Sequence, residues 1–316
     1  MKHVLRTADL TPREITVLVD LASELKRRPR RSAQELAGEL VLIYLTEPST
    51  RMRLTFSAAA EELGATVVLV GPAEFRRGWN ADVEQLAPEV SQYAAVVVAR
   101  TRHDNVSQLA SLSSVPVVNA LSEAHHPCQS LADLLALREA FGTLDGLSVA
   151  WVGEAGPATH SLMEACALAG IDLAVATPYG CEPDPEVVSR VDEIAAGTGS
   201  RVRTTHDPRE AVVGADALYG GAWLRLGLTD EERAVRRAAL WPARATVDLV
   251  RQAAPHAVFM QSAPVHPDDE VAPETAIDLR SVSRDQLANL HHAAGALLVA
   301  LHQRRLNGAD HGLVVA

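Results

Sequence analysis

Short aliphatic runs recur along the chain and alternate with segments whose apolar residues fall at helical spacing. This is the pattern of strand and helix in a mostly parallel sheet. The runs predicted as strands are Val41 to Leu45, Thr66 to Val70, Ala94 to Ala99, Val115 to Val118, Ser148 to Val152, Ile171 to Ala176, Ala217 to Tyr219 and Ala257 to Met260. Between the fourth and fifth, Pro127 to Phe141 places Leu131, Leu134, Leu135 and Arg138 at helical spacing, with Gly142 as its stop. Turns are expected at Pro178 to Pro185 and Ala263 to Pro273, and Arg284 to Arg305 returns to a helix through Leu287, Leu290, Leu297, Leu298 and Leu301. The fold class is therefore α/β, with two doubly wound parallel-sheet domains. A chain of 316 residues fits two domains of about 150 each. The domains are drawn at 1–138, completed by the C-terminal helix 284–316, and at 139–283.

Composition removes several functions. No apolar run approaches the ~18 residues of a membrane span, and Met1 to Thr11 lacks the continuous apolar core of an export signal. Cys128, Cys166 and Cys181 show neither even pairing nor metal spacing, so a reducing cytoplasm is expected, without a structural zinc site. A net charge of −11 with 4% aromatic residues argues against a nucleic-acid partner. Lys2 and Lys26 are the two lysines, so no glycine-rich loop ends in a phosphate-binding lysine. Any anion bound here has to meet arginines, whose planar fork suits phosphate and carboxylate.

One such place is Glu47 to Arg53, which follows a strand and opens a helix running to about Leu63. A helix N-terminus offers unpaired N–H groups and the positive end of a dipole. Ser49 or Thr50 can cap it, and Arg51 and Arg53 beside the cap are electrostatically misplaced unless an anion joins them; a capped surface helix with solvated arginines would read the same way. A second segment, His125 to Gln129, starts a helix with Pro127 at its first position and puts His126 and Gln129 on one face. An imidazole and an amide can hold a carbonyl oxygen and an amino group, although either histidine would also serve as a plain cap. Arg100 ends a third predicted strand, where open α/β sheets bind ligands.

In this order the three segments resemble the aspartate/ornithine carbamoyltransferase family, and the likeness extends over most of the chain. The family's Ser-Thr-Arg-Thr-Arg is matched by Ser49-Thr50-Arg51-Met52-Arg53, with Met52 in place of a threonine, and its His-Pro-x-Gln by His126-Pro127-Cys128-Gln129. The resemblance implies that Ser49, Thr50, Arg51, Met52, Arg53 and Arg100 surround the phosphate of carbamoyl phosphate, with His126 and Gln129 on the carbamoyl group. His126, Thr50, Arg53 and Arg100 are then the expected catalytic groups, and the first domain binds carbamoyl phosphate. It further implies a homotrimer with active sites between subunits, a C-terminal helix returning to the first domain, and no cofactor or metal. The loop Gly71 to Asn80, with Arg76, Arg77 and Trp79, matches one that reaches a neighbouring subunit in this family, and an exposed loop is the alternative.

The second domain, expected to bind the acceptor, resembles the ornithine branch in outline and departs from it in detail. Where that branch carries asparagine, Trp151 to Pro157 supplies glycine and proline. Its Asp-x-Trp-x-Ser-Met-Gly becomes Gly221-Ala222-Trp223-Leu224-Arg225-Leu226-Gly227, and its His-Cys-Leu-Pro becomes Gln261-Ser262-Ala263-Pro264. The late arginine of the family is Leu290 here. Trp223, Arg225, Gln261, Ser262 and Ala263 are therefore the expected contacts of a small-molecule acceptor that is not ornithine. A non-catalytic relative that binds carbamoyl phosphate or another anion, and an ornithine enzyme with a remodelled site, remain as rivals. A nicotinamide site is not expected, because Gly153-x-x-Gly156 lacks the third glycine of a dinucleotide fingerprint. Nor is a metal site, because His291/His292 and Asp268/Asp269 lack a third ligand.

Overall fold

A computed structural model describes residues 2–28, 34–71, 83–223, 229–261, 270–272, 275 and 280–307. The chain divides into two compact units, one of residues 1–135 with 289–316 and one of residues 136–288.

In the first unit, α1 (Pro12–Arg27) leads into β1 (Leu40–Leu45), α2 (Thr50–Glu62), β2 (Thr66–Val70), α3 (Val83–Val90), β3 (Val96–Arg100), α4 (His103–Leu112) and β4 (Val117–Asn119). The four strands are parallel in the order β2-β1-β3-β4. The central strands are β-branched and aliphatic on both faces, and Val41 to Leu45 and Val96 to Ala99 are buried, as a parallel sheet covered on both sides requires. Strand order reverses between β1 and β3, so their carboxyl ends frame the crevice where such sheets take ligands. Register sets Leu45 opposite Arg100 at that crevice.

Helix α5 (Pro127–Phe141) matches the predicted span, is buried on every side from Pro127 to Leu137, and ends at Gly142. That glycine has φ +78° and closes the last turn by donating to the Arg138 carbonyl at 2.8 Å. The last helix, α11 (Ser283–Asn307), belongs to the first unit from Asn289 onward. His291 Nε2 lies 2.7 Å from Glu62 on α2, and Arg304 donates to Glu14 on α1 at 2.8 Å. Leu290, Leu297, Leu298 and Leu301 are buried, whereas Leu287 is 51% exposed. Helical spacing gave all five one face, but Leu287 precedes the stretch that joins the first unit's core.

The second unit runs β5 (Ser148–Val152), α6 (Pro157–Ala169), β6 (Asp172–Ala176), α7 (Pro185–Thr198), β7 (Val202–Thr205), α8 (Pro208–Val212), β8 (Ala217–Gly220), α9 (Asp230–Leu240), α10 (Val247–Val250) and β9 (Val258–Met260). Its five strands are parallel in the order β7-β6-β5-β8-β9, so the order reverses between β5 and β8. All eight predicted strands are present, and β7 is an addition. Val202 is the one aliphatic residue of β7, which pairs with β6 alone at the sheet edge. A half-solvated edge carries no apolar run to read.

Candidate active site

The end of β1 and the end of β3 build the first half of the site. Thr46 N–H donates to the Arg100 carbonyl at 3.0 Å, which ties the exit of β1 to the last residue of β3. Ser49 then caps α2: its Oγ accepts from Met52 N–H at 3.3 Å and also from Arg100 Nη1 at 3.2 Å. One hydroxyl thus joins the helix N-terminus to a guanidinium. Glu47 Oε2 lies 3.8 Å from Arg100 Nη2, a long and solvent-facing pair. Arg100 Nε is buried and makes no hydrogen bond among the described residues. Burial lowers the pKa values of Arg51 and Arg100, and Arg51 is lowered further by the charge of Arg100. Two half-buried cations face the positive end of a helix, an arrangement that favours an anion.

The other expected residues of this motif divide by side. Met52 is 2% exposed and packs into the core, so its contribution to the motif is the backbone N–H that the Ser49 cap receives. Thr50 and Arg53 are exposed on the first turn and make no side-chain hydrogen bond among the described residues.

His126 enters from β4 and the turn after it. Asn119 Nδ2 donates to the Leu5 carbonyl at 2.8 Å and to Ser122 Oγ at 3.1 Å, with the His125 carbonyl at 3.3 Å, so the peptide before His126 is held from beneath. The His126 carbonyl accepts from Gln129 N–H at 3.0 Å, which makes it the cap residue of α5 through its backbone. Its imidazole is buried, and its pKa is pushed down to about 3, first by burial and then by Arg100 and Arg51. The ring is therefore neutral at ordinary pH and lies within electrostatic reach of both arginines. A neutral imidazole can donate to a carbonyl oxygen without adding a third positive charge. Gln129 is buried one turn on, its amide bonded to Asp133.

The second unit presents its own crevice at the ends of β5, β8 and β9, where Val152 pairs with Gly220 and Tyr219 with Met260. Gly153 has φ +142°, and a Cβ there would stand 3.0 Å from the Gly221 Cα. At Gly221 a Cβ would stand 2.8 Å from Trp151 Cζ2 and 3.2 Å from Cε2, so the indole fills the room a side chain would need. Trp151 Nε1, Trp223 Nε1 and Gln261 Nε2 are buried donors without a hydrogen-bond partner among the described residues. Arg236 of α9 donates through Nε to the Trp223 carbonyl at 3.0 Å and forms an ion pair with Glu154 in the turn after β5. Neither Arg236 nor Glu154 stood out in the sequence, because their pairing joins positions 82 residues apart. Arg225, Ser262, Ala263, the segment with Arg76, Arg77 and Trp79, and Asp268 and Asp269 lie outside the described residues. Among the described residues no three His, Cys, Asp or Glu side chains gather into a metal site, and no helix is long and apolar enough to cross a membrane.

Comparison with known proteins agrees with the two halves. Residues 2–139 match the family described as "Aspartate/ornithine carbamoyltransferase, carbamoyl-P binding domain", and residues 145–301 match its "Asp/Orn binding domain". The chain belongs to the aspartate/ornithine carbamoyltransferase family. It is 40% identical over 300 residues to the ornithine carbamoyltransferase of Acidothermus cellulolyticus, covering 94% of this chain and 96% of that one. It is also similar to the solved ornithine carbamoyltransferases of Pyrococcus furiosus (34% identity, TM-score 0.89, 95% and 96% covered) and Thermus thermophilus (36% identity, TM-score 0.85, 95% and 99% covered). As a carbamoyltransferase this chain is a transferase with two parallel α/β sheets.

Two outcomes test the geometry of this carbamoyltransferase. The unfolded chain takes up a proton near pH 6.5 that folded His126 refuses until about pH 3, so stability is full above pH 6.5 and falls on acidification. His3, pushed down to about 4 chiefly by burial, acts in the same direction. Denaturation free energies at pH 7 and 4.5 should differ by an amount to which His126 contributes on the order of 2 kcal/mol. His126→Gln should flatten that dependence, and parallel curves for the two proteins would place the imidazole in solvent. Gly221→Ala should cost about 1–3 kcal/mol through the clash with Trp151 and shift tryptophan emission. Gly156→Ala, where a Cβ meets nothing within 4 Å, should cost under about 1 kcal/mol.

Proposed function

We propose that this carbamoyltransferase moves the carbamoyl group of carbamoyl phosphate to an amino or other nucleophilic group of an acceptor other than ornithine. In this reading the first unit binds carbamoyl phosphate. Ser49, Arg51 and Arg100 hold the phosphate, with Thr50, Arg53 and the backbone of Met52 on the same helix turn. His126 donates to the carbonyl oxygen, and Gln129 meets the amino group. The unprotonated acceptor nitrogen attacks the carbonyl carbon, and negative charge grows on the oxygen facing His126. The carbon–oxygen bond to phosphate then breaks, phosphate leaves to the arginines, and the amine proton passes to phosphate or water. The paired half-buried arginines at a capped helix start support the donor half, since a dianion relieves their mutual repulsion.

The observation that carries the acceptor half is the polarity at the ends of β5, β8 and β9. Binding an α-ammonium calls for an acid, and the family's acid position is Gly221, covered by Trp151. The three buried groups without partners there, on Trp151, Trp223 and Gln261, all donate. They suit an acceptor that carries carbonyl or carboxylate oxygens and repel a second ammonium. Arg225, Ser262 and Ala263 belong to the same reading from sequence. Losing the acid without replacement is worth a few kcal/mol against ornithine, or several factors of ten in specificity. The relatives named ornithine carbamoyltransferase favour the competing reading, an ornithine enzyme with a remodelled site.

Two further features are part of the proposal. Strand β2 is an edge strand with Val68 exposed, and Leu54 of α2 is exposed in the same unit, which suits burial against another copy; that the assembly is a homotrimer comes from the family resemblance. Cys128, Cys166 and Cys181 form no disulfide, which suits the reducing cytoplasm expected for a specialised carbamoyltransferase.

Carbamoyl phosphate at ~100 times its dissociation constant should stabilise the protein by about 2.7 kcal/mol, and Arg51→Ala should remove most of that gain. Equal thermal shifts in the two proteins would move the phosphate elsewhere. In an assay with carbamoyl phosphate and a panel of amines, amino acids and hydroxyl acceptors, L-ornithine should give little citrulline, with a different acceptor carbamoylated faster. Efficient citrulline formation would establish the ornithine reading, and no carbamoylation of any amine, amino acid or hydroxyl acceptor despite tight carbamoyl phosphate binding would establish a non-catalytic relative.

A further inference from the structure

Gln129 and Asp133 stand one turn apart on α5, both buried, and Gln129 Nε2 donates to Asp133 Oδ1 at 2.8 Å. A glutamine amide is nearly symmetric in shape, and its two ends exchange by a half-turn about the last bond. Opposite a carboxylate that freedom is gone, because an ionised carboxylate can only accept. One N–H of the amide nitrogen is committed to Asp133, which fixes that end of the amide there and leaves Oε1 as the acceptor on the other side. Oε1 makes no hydrogen bond among the described residues.

The carbamoyl group poses a matching problem. It carries one carbonyl oxygen, which needs donors, and one amino group, which needs acceptors. Arg51, Arg100 and the capped end of α2 supply donors, and so does neutral His126 if its N–H is turned inward. Gln129 Oε1 is an acceptor on the same first turn of α5 as His126. A flipped Gln129 would add another donor and leave the amino group of the substrate facing N–H groups.

We propose that Asp133 is a positioning residue that fixes the polarity of the Gln129 amide, so that Oε1 is offered to the amino group of carbamoyl phosphate. Asp133 thereby makes the site select a carbamoyl over an acetyl group, since acetyl phosphate has the same shape with a methyl in place of the amino group. The inference rests on the reading that His126 and Gln129 hold the carbamoyl group, and it concerns discrimination rather than binding of the phosphate.

The test compares carbamoyl phosphate, acetyl phosphate and inorganic phosphate by titration calorimetry, together with steady-state KM and kcat for carbamoyl phosphate. Wild type should prefer carbamoyl over acetyl phosphate by at least ~10-fold, the value of one well-made hydrogen bond to a buried group. Asp133→Asn, which can turn its own amide and release Gln129, should erase most of that preference while inorganic phosphate binds as before. Its KM for carbamoyl phosphate should rise more than its kcat falls. The double variant Asp133→Asn with Gln129→Glu restores a donor–acceptor pair of reversed polarity, with a carboxylate oxygen toward the amino group, and should recover part of the preference.

If Asp133→Asn keeps the wild-type ratio of carbamoyl to acetyl phosphate, Asp133 only staples the helix and the proposal is wrong. If that variant loses phosphate binding as well, the double variant decides: recovery of the ratio supports the proposal, and phosphate binding without recovery, or no phosphate binding at all, overturns it. A wild-type protein that binds carbamoyl phosphate no more tightly than inorganic phosphate would instead sink the reading of the site itself.

Discussion

The structure of the first unit depends on how two positive charges are kept at the end of a parallel sheet. Parallel register sets Leu45 beside Arg100, and the chain leaving β1 turns at once into a helix whose cap accepts from that arginine. Placing Arg51 on the same helix start puts a second guanidinium against the positive end of a dipole, which is unfavourable in the absence of an anion. Burial sharpens the conflict, as the lowered pKa values of both arginines indicate. Two arginines at a helix start favour a multiply charged oxyanion there. The neutrality of His126 follows from the same constraint. Beside two arginines and away from water, a protonated ring would add to the repulsion, so the site keeps it as a neutral imidazole.

Much of this was legible in the sequence because the chemistry is local. Ser49, Arg51 and the cap lie within one turn, and His126, Pro127 and Gln129 within another, so spacing alone fixes which residues share a face. The strands were legible because a doubly covered parallel sheet needs continuous aliphatic runs. Partners remote along the chain were not. Arg236 with Glu154 and Asn119 with Leu5 depend on how distant segments are brought together, which no local pattern encodes, and Arg100 was set with Ser49 by the family resemblance rather than by spacing. Motif reading also treats every position of Ser49 to Arg53 alike, while the helix turns Met52 into the core and Arg53 to solvent. Asp133 escaped notice for a different reason. At helical spacing from Gln129 on an apolar helix, it reads as a polar interruption until its bond is seen.

The two units have answered the same architectural question differently. Each has a strand order that reverses, between β1 and β3 in one and between β5 and β8 in the other, which is where sheets of this kind take ligands. In the first unit the crevice is lined by charge that local backbone and capping hold in place, and the family motif is nearly intact. In the second, the corresponding ends of β5 and β8 meet as Gly153 against Gly221, with an indole over the contact. Two glycines in contact leave no side chain to carry an acid at that point, and the same unit buries three donors without a partner among the described residues, on Trp151, Trp223 and Gln261.

That difference has a physical basis in what each half must recognise. A phosphate is met by dipoles and guanidiniums whose geometry tolerates little change, since a misplaced cation in a half-buried site is costly whether or not the ligand is present. The donor half is thus constrained even when empty. An acceptor pocket built, as proposed, of neutral donors on aromatic and amide side chains carries a smaller cost, about 1–3 kcal/mol for each buried group left without a partner. Such groups can be exchanged one at a time, with the loss at each step small against the stability of an α/β domain. The Arg236–Glu154 pair fits this view, because Arg236 also holds the Trp223 carbonyl in place. On the proposed reading, the chain keeps the machinery that activates a carbamoyl group while the surface that chooses the nucleophile moves from accepting hydrogen bonds to donating them.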